Sequence, residues 1–285
     1  MRDVMLDFIG IGTPRSGTTW LSACLAEHPD ICFSSKKESN FFLYDKLYYQ
    51  GVSFLADQFA HFREGQIRGE WSVYYLYSRE AAERIQAHNP NIKLIVCLRD
   101  PVRRAYSHYL LRKYNGMIAP FRSFEKTITS DDRYGFLRYG QYAENLARYR
   151  SLFRNERIHV IVYEEAILDP KKTIKELYQF LGVSSDYIPG KLHDTVDYRG
   201  KSKFFSLTLQ SVANKFAGLR YPKPLHRKAH NILARVRRLN RRRQPSVSFT
   251  KPSPSSDTIR QLRSFYRDEI ERMEELLGRQ LPYWE

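Results

Sequence analysis

The sequence predicts an α/β protein with a central parallel β-sheet flanked by helices, folded as one domain over residues 1–285. Three observations carry that expectation. The run Phe8-Ile9-Gly10-Ile11 passes directly into Gly12-Thr13-Pro14-Arg15-Ser16-Gly17-Thr18-Thr19-Trp20. It reads as a buried strand, a glycine-bounded turn and a helix opening on hydroxyl residues. Lys93-Leu94-Ile95-Val96-Cys97-Leu98 is apolar at odd and even positions alike, as a strand covered on both faces requires. Ile158 to Val162, followed by an amphipathic stretch from Lys171 to Leu181, repeats the strand-then-helix alternation of a parallel sheet.

Each element has its own punctuation. The first helix runs from Trp20 to His28 and stops at Pro29, and Ile31-Cys32-Phe33 is a short strand. Ser78 is placed to cap a helix through about Ala87, with Glu80 and Glu83 near its positive end. Asn89-Pro90-Asn91 turns the chain into the strand over 93–98, which ends at Arg99-Asp100-Pro101, and a helix follows through Tyr109. Residues 112–140 read as an irregular, functional loop region, Tyr142 to Phe153 as a helix, and Gly182 as the stop of the helix over 171–181. Asp257 is expected to cap a last helix reaching Leu277.

Composition narrows the partners. Aromatic residues make up 14 % of the chain and charged residues 27 %, so it is globular rather than disordered. No apolar run approaches the roughly 20 residues that cross a bilayer. The first twelve residues contain Asp3 and Asp7 and lack a signal peptide's apolar core, which predicts a cytoplasmic protein. Cys24, Cys32 and Cys97 show no metal-ligand spacing and read as free buried thiols. The net charge of +16 is concentrated: residues 198–256 hold 15 Lys and Arg and no acid, leaving 32 basic against 31 acidic residues elsewhere. Within this segment Phe205, Leu209, Val212, Phe216 and Leu219 recur on one helical face, and a second basic helix is expected from Leu225 to Arg241. The segment could be a solvated helical pair, a peripheral membrane contact through 204–243, or a guide for an anionic glycan or nucleotide. No base-reading motif accompanies it, so nucleic acid is not an expected partner. Nothing in the sequence specifies an oligomeric state.

The chemistry starts in the first loop. Gly12 and Gly17 have the separation of a Walker A motif, G-x-x-x-x-G-K-[ST], but Thr18 stands where the lysine belongs. That argues against a P-loop kinase-like enzyme and leaves an oxyanion cradle with Arg15 as its nearest cation. A second constellation, Arg99-Asp100-Pro101-Val102-Arg103-Arg104-Ala105-Tyr106-Ser107, begins at the end of a central strand, where open α/β sheets bind ligands. Arg99 with Ser107, two helical turns on, makes a phosphate clamp if the intervening residues turn back.

At this point the chain resembles the sulfotransferase superfamily, which has a P-loop-like fold. It is most similar to the branch containing heparan sulfate sulfotransferases and their bacterial relatives. The resemblance implies 3′-phosphoadenosine-5′-phosphosulfate as co-substrate, with its 5′-phosphosulfate held by Arg15, Ser16, Gly17, Thr18, Thr19 and Trp20. It assigns the 3′-phosphate to Arg99 and Ser107, and adds Tyr163 and the late loop Arg199-Gly200-Lys201 to the nucleotide site. Lys37-Glu38-Ser39-Asn40-Phe41-Phe42 resembles the family's K-E-x-x-F-F element, which makes Glu38 the catalytic base. Tyr139-Gly140-Gln141-Tyr142, Tyr163-Glu164-Glu165, Phe180-Leu181-Gly182 and the closing Leu277-Gly278-Arg279 to Trp284 extend the match over most of the chain. Two departures stand out: Arg15 replaces a frequent lysine, and the family's E-K-[ST]-P element appears as Glu70-Trp71-Ser72-Val73 without its lysine.

The implied reaction is in-line sulfuryl transfer to a hydroxyl, less readily an amine, of a glycan, glycolipid or other alcohol-bearing metabolite. It needs no metal. Arg15 and the loop amides stabilise the leaving oxygen and Glu38 takes the acceptor proton, with His108 a rival base expected on a helix surface. The competing reading is a membrane- or polyanion-binding protein that has kept the nucleotide loops and lost turnover.

Overall fold

The computed structural model describes residues 4–119, 121–130, 134–194 and 253–284. Five parallel strands form one sheet: β1 (Phe8–Gly12), β2 (Ile31–Phe33), β3 (Ile67–Trp71), β4 (Lys93–Leu98) and β5 (Ile158–Val162). Their order is β2-β3-β1-β4-β5. From β1 the chain goes to the edge strand β2, returns to insert β3 between β2 and β1, and then crosses to place β4 against β1's other edge. The carboxyl ends of β1 and β4 therefore flank the switch point of the sheet, the place where such folds bind ligands.

Period-two alternation covers both faces. Leu94, Val96 and Leu98 of β4 pack with Ile9 and Ile11 of β1 in one apolar cluster, whereas Ile95 and Cys97 join Phe8 and Trp71 in another. The first cluster is closed by α4 (Arg79–His88), α7 (Ala143–Leu152) and the end of the last helix, α10 (Ser256–Leu277). The second is closed by α1 (Thr18–Glu27) and α9 (Pro170–Leu181). Gly10 is set by this packing: a Cβ there would stand 2.0 Å from Trp71 Cδ2. A third cluster joins α5 (Pro101–Tyr114) to α6 (Phe124–Ser130) and α10.

The expected strands over 31–33, 93–98 and 158–162 are present, and Ser78 Oγ accepts from Ala81 N at the start of α4. Several elements differ from the expectation. β3 went unread because Ile67-Arg68-Gly69-Glu70-Trp71 looks too polar for an interior strand, yet its last three residues are buried. The short helices α2 (Asp45–Tyr48), α3 (Val52–Gln58) and α8 (Tyr163–Leu168) carry little periodicity over so few residues. α5 continues past Tyr109 to Tyr114, and the region expected to be irregular also contains α6. The cap of α10 is Ser255, whose Oγ accepts from Thr258 N, rather than Asp257. Most of the basic segment 198–256, including 204–243, lies outside the described residues. Among the described residues, no helix is long and apolar enough to cross a membrane.

Candidate active site

Hydroxyl groups hold the loop after β1 from beneath. Thr13 Oγ1 donates to the Cys97 carbonyl at 2.9 Å and shares a 2.6 Å hydrogen bond with Ser16 Oγ. Thr13 N donates to the same carbonyl at 3.0 Å. Ser16 is fully buried and its hydroxyl meets Thr13 inside the loop rather than facing a ligand, while Thr13 ties the loop to β4. Arg15 (φ 73°) and Gly17 (φ 79°) adopt left-handed conformations that turn successive amides to one side. Gly17 is required for a second reason, since a Cβ would stand 2.7 Å from the Tyr163 ring. α1 then starts with no side-chain cap and no acid in its first turn. An external oxyanion is what that uncapped, partly positive helix end accommodates.

β4 supplies the other half. Arg99 Nη1 donates to the Arg15 carbonyl at 3.0 Å, and its guanidinium lies over the Tyr163 ring, 4.6 Å from the centroid. Arg15 in turn donates from Nε and Nη2 to Ser107 Oγ at 3.1 and 3.0 Å. The two constellations, more than eighty residues apart in the chain, thus meet through direct hydrogen bonds. Nearby, Glu164 Oε1 stands 3.8 Å from Arg99 Nε, and burial pushes the Glu164 carboxyl above its ordinary range. Trp284 Nε1 donates to Glu164 Oε2 at 3.2 Å. Asp100 caps α5 by accepting from Val102 N, and Arg263 of α10 grips both of its oxygens at 3.1 and 2.7 Å. The closing residues of the chain therefore brace the Arg99 turn.

The Lys37–Asn40 turn follows β2 at the same sheet edge. Lys37 Nζ lies 3.2 Å from Glu38 Oε1 and 3.5 Å from Thr18 Oγ1. Glu38 is paired with its neighbouring lysine, as a plain surface carboxylate would be, but the pair sits against the oxyanion loop. Lys37 brings to Thr18 a cation at the place where the loop's own sequence has no Walker lysine. Sequence reasoning quoted Lys37 within its motif without assigning it to the site, because the approach to Thr18 depends on how β2, β3 and β1 stack.

Other expected residues divide. Thr19 is exposed at the helix start and Tyr163 flanks Gly17 and Arg99. Trp20 faces away: it is 2 % exposed, its Nε1 donates to the Leu192 carbonyl, and its backbone N donates to Gly17 O. His108 is not on the helix surface. It is buried, Arg112 Nε donates to its Nε2 at 3.1 Å, and burial with Arg104, Arg112 and Arg15 nearby pushes its pKa down to about 2. An imidazole so placed is a poor proton acceptor. Arg199, Gly200 and Lys201 lie outside the described residues.

Two further features adjoin the site. A cleft of about 500 Å³ is walled by Tyr44, Tyr74, Tyr77 and Tyr139, with Arg112 and Arg138 among its lining. Burial chiefly raises the Tyr74 hydroxyl pKa, and the Glu38 carboxylate adds to that rise, which places the cleft within electrostatic reach of Glu38. Beneath the 37–40 turn, Glu70 of β3 is 1 % exposed and burial pushes its carboxyl up to about 7, against the opposing hydroxyls of Tyr75, Ser72 and Ser39.

Fold and site together define an α/β protein in which Arg15, Arg99 and Ser107 meet beside the loop after β1, without the Walker lysine at position 18. The chain belongs to the sulfotransferase domain family, whose sequence profile matches residues 6–209. Heparan sulfate glucosamine 3-O-sulfotransferase 3A1 of Mus musculus is 31 % identical over 180 residues, which cover 61 % of this chain and 44 % of the relative. Heparan sulfate glucosamine 3-O-sulfotransferase 6 of Homo sapiens is 32 % identical over 178 residues, covering 61 % and 51 %. The chain thus spans about half the length of these curated relatives. A sulfotransferase crystal structure from Alicyclobacillus acidocaldarius superposes with a TM-score of 0.71 at 22 % identity, covering 99 % of each chain, and shares the fold.

Proposed function

We propose that residues 1–285 form one catalytic domain that transfers a sulfuryl group from 3′-phosphoadenosine-5′-phosphosulfate to an acceptor hydroxyl. The observation that carries this reading is the convergence of Arg15, Arg99 and Ser107 on the uncapped start of α1, with Lys37 and Glu38 at its rim. The donor set fits the nucleotide. Arg99 Nε is buried without a hydrogen-bond partner, and the first turn of α1 has no internal cap. Arg99 and Ser107 would hold the 3′-phosphate, and Arg15 with the amides of Gly17, Thr18 and Thr19 the 5′-phosphosulfate. When bound, the nucleotide supplies an activated sulfuryl group.

Glu38 takes the proton of the acceptor hydroxyl as its oxygen bonds to sulfur, and Lys37 and Arg15 neutralise charge on the departing phosphate oxygen. The tyrosine-walled cleft is the entry for the acceptor, since flat rings and arginine suit sugars or other ring-bearing alcohols. The relatives' names support a glycan acceptor. Three free, buried cysteines support a reducing, cytoplasmic location, and the basic segment supports peripheral membrane contact through 204–243.

Glu38→Gln tests the reading. Stabilisation by adenosine 3′,5′-bisphosphate in a thermal melt should persist, while transfer of labelled sulfuryl to heparan sulfate or other acceptors should drop about 100-fold or more. Nucleotide stabilisation without transfer by the wild type would favour a binding protein that retains the loops. Undiminished transfer by the variant would remove Glu38 from the role of base.

A further inference from the structure

Glu38 and Asn40 hold φ angles of 61° and 54°, left-handed conformations in two residues that carry a Cβ. Such conformations are disfavoured for a residue with a Cβ and persist where surrounding contacts over-determine them. Three contacts are visible. Glu38 N donates to the Trp71 carbonyl at 3.0 Å, Asn40 Nδ2 donates to the Glu38 carbonyl at 2.9 Å, and Asn40 N donates to Ser72 Oγ at 3.0 Å. Ser72 Oγ passes that bond on, donating to Glu70 Oε2 at 2.9 Å.

From the other side, the hydroxyls of Tyr75 and Ser39 lie near the Glu70 carboxyl and favour its ionised form against the larger cost of burial. Ser39 Oγ and Tyr75 OH are themselves 3.4 Å apart, and Tyr75 OH accepts from Phe42 N. Glu70 therefore anchors, through Ser72, a hydrogen-bonded chain that reaches Asn40, with the Ser39–Tyr75 hydroxyl pair beside it. Among the described residues Glu70 makes no ion pair within 4 Å, and its Oε1 is buried without a hydrogen bond. A carboxyl kept in so costly a place, where a hydrophobic side chain would pack as well, is there for what it holds.

We propose that Glu70 is a positioning residue for the transfer reaction: acting through Ser72, its carboxyl locks residues 38–40 in the conformation that sets the Glu38 carboxylate against Lys37 and Thr18. The proposal rests on Glu38 as the base for its consequence, but not for its geometry. Glu70 does not touch substrate, and its effect falls on turnover.

Glu70→Leu and Glu70→Gln separate this role from simple packing. With heparan sulfate as probe acceptor, Glu70→Leu should lower kcat about 100-fold, the scale of a small misplacement of a reacting group. Its affinity for adenosine 3′,5′-bisphosphate should stay within twofold, and Glu70→Gln, which can still accept from Ser72, should recover most of the rate. A parallel fall in kcat and nucleotide affinity, or an unchanged kcat in Glu70→Leu, would overturn the proposal. A crystal structure of Glu70→Leu decides the geometry without any acceptor: residues 38 and 40 should leave the left-handed region, and an unmoved turn would refute the anchor. If the turn relaxes while Glu38→Gln proves harmless, positioning stands and the base assignment fails.

Discussion

Replacing Glu70 by Gln makes a stability change that can be worked from burial alone. The Glu70 carboxyl is buried and its pKa is pushed from the ordinary 4.5 up to about 7, chiefly by desolvation. The native state then holds a proton that the unfolded chain releases between those two values. Stability from this group is fully present below about pH 4.5 and is lost as pH rises through about 7. At 1.36 kcal/mol for each pKa unit, the penalty at pH 8 is about 3 kcal/mol. Gln preserves the shape and an acceptor for Ser72 without ever ionising, so the variant escapes the loss. Urea unfolding of both proteins at pH 5 and pH 8 measures it. The stability difference should move in favour of Glu70→Gln by about 2–3 kcal/mol between the two pH values. A difference that does not depend on pH would mean that Glu70 titrates like an exposed carboxyl and that the buried anchor is wrong.

Two further outcomes follow from the loop. Arg99→Ala removes the guanidinium from Tyr163 and Arg15 and leaves Glu164 without its nearby cation. Affinity for adenosine 3′,5′-bisphosphate by calorimetry should fall about 10- to 100-fold, and unchanged affinity would exclude Arg99 from the phosphate site. Gly17→Ala forces a Cβ to 2.7 Å from Tyr163 in a left-handed backbone. It should cost about 1–3 kcal/mol and abolish nucleotide-induced stabilisation; a wild-type melt with full stabilisation would contradict the loop geometry.

Much of the fold was legible because its signals are local. The strand over Lys93–Leu98 is apolar at every residue after Lys93, Ser78 caps α4, and Gly182 ends α9 in a left-handed conformation. β3 was illegible for the opposite reason. Arg68, Gly69 and Glu70 suit an interior strand only because Phe8 packs over Gly69 and a hydroxyl network receives Glu70. His108 reads as exposed from its own helix because nothing there reveals Phe136, from the distant 134–140 stretch, closing over it.

The same division runs through the site. The residue types of the oxyanion loop, the Arg99 clamp and the Lys37-Glu38 pair were determined by the sequence alone, since each lies within one short motif whose chemistry is local. Only the tertiary structure decided that Arg15 grips Ser107, that Arg99 holds the loop's backbone, and that Lys37 reaches Thr18. Those contacts join segments that neighbour one another only at the carboxyl edge of the sheet. Strand order, which no single motif encodes, is what brings their charges to one place.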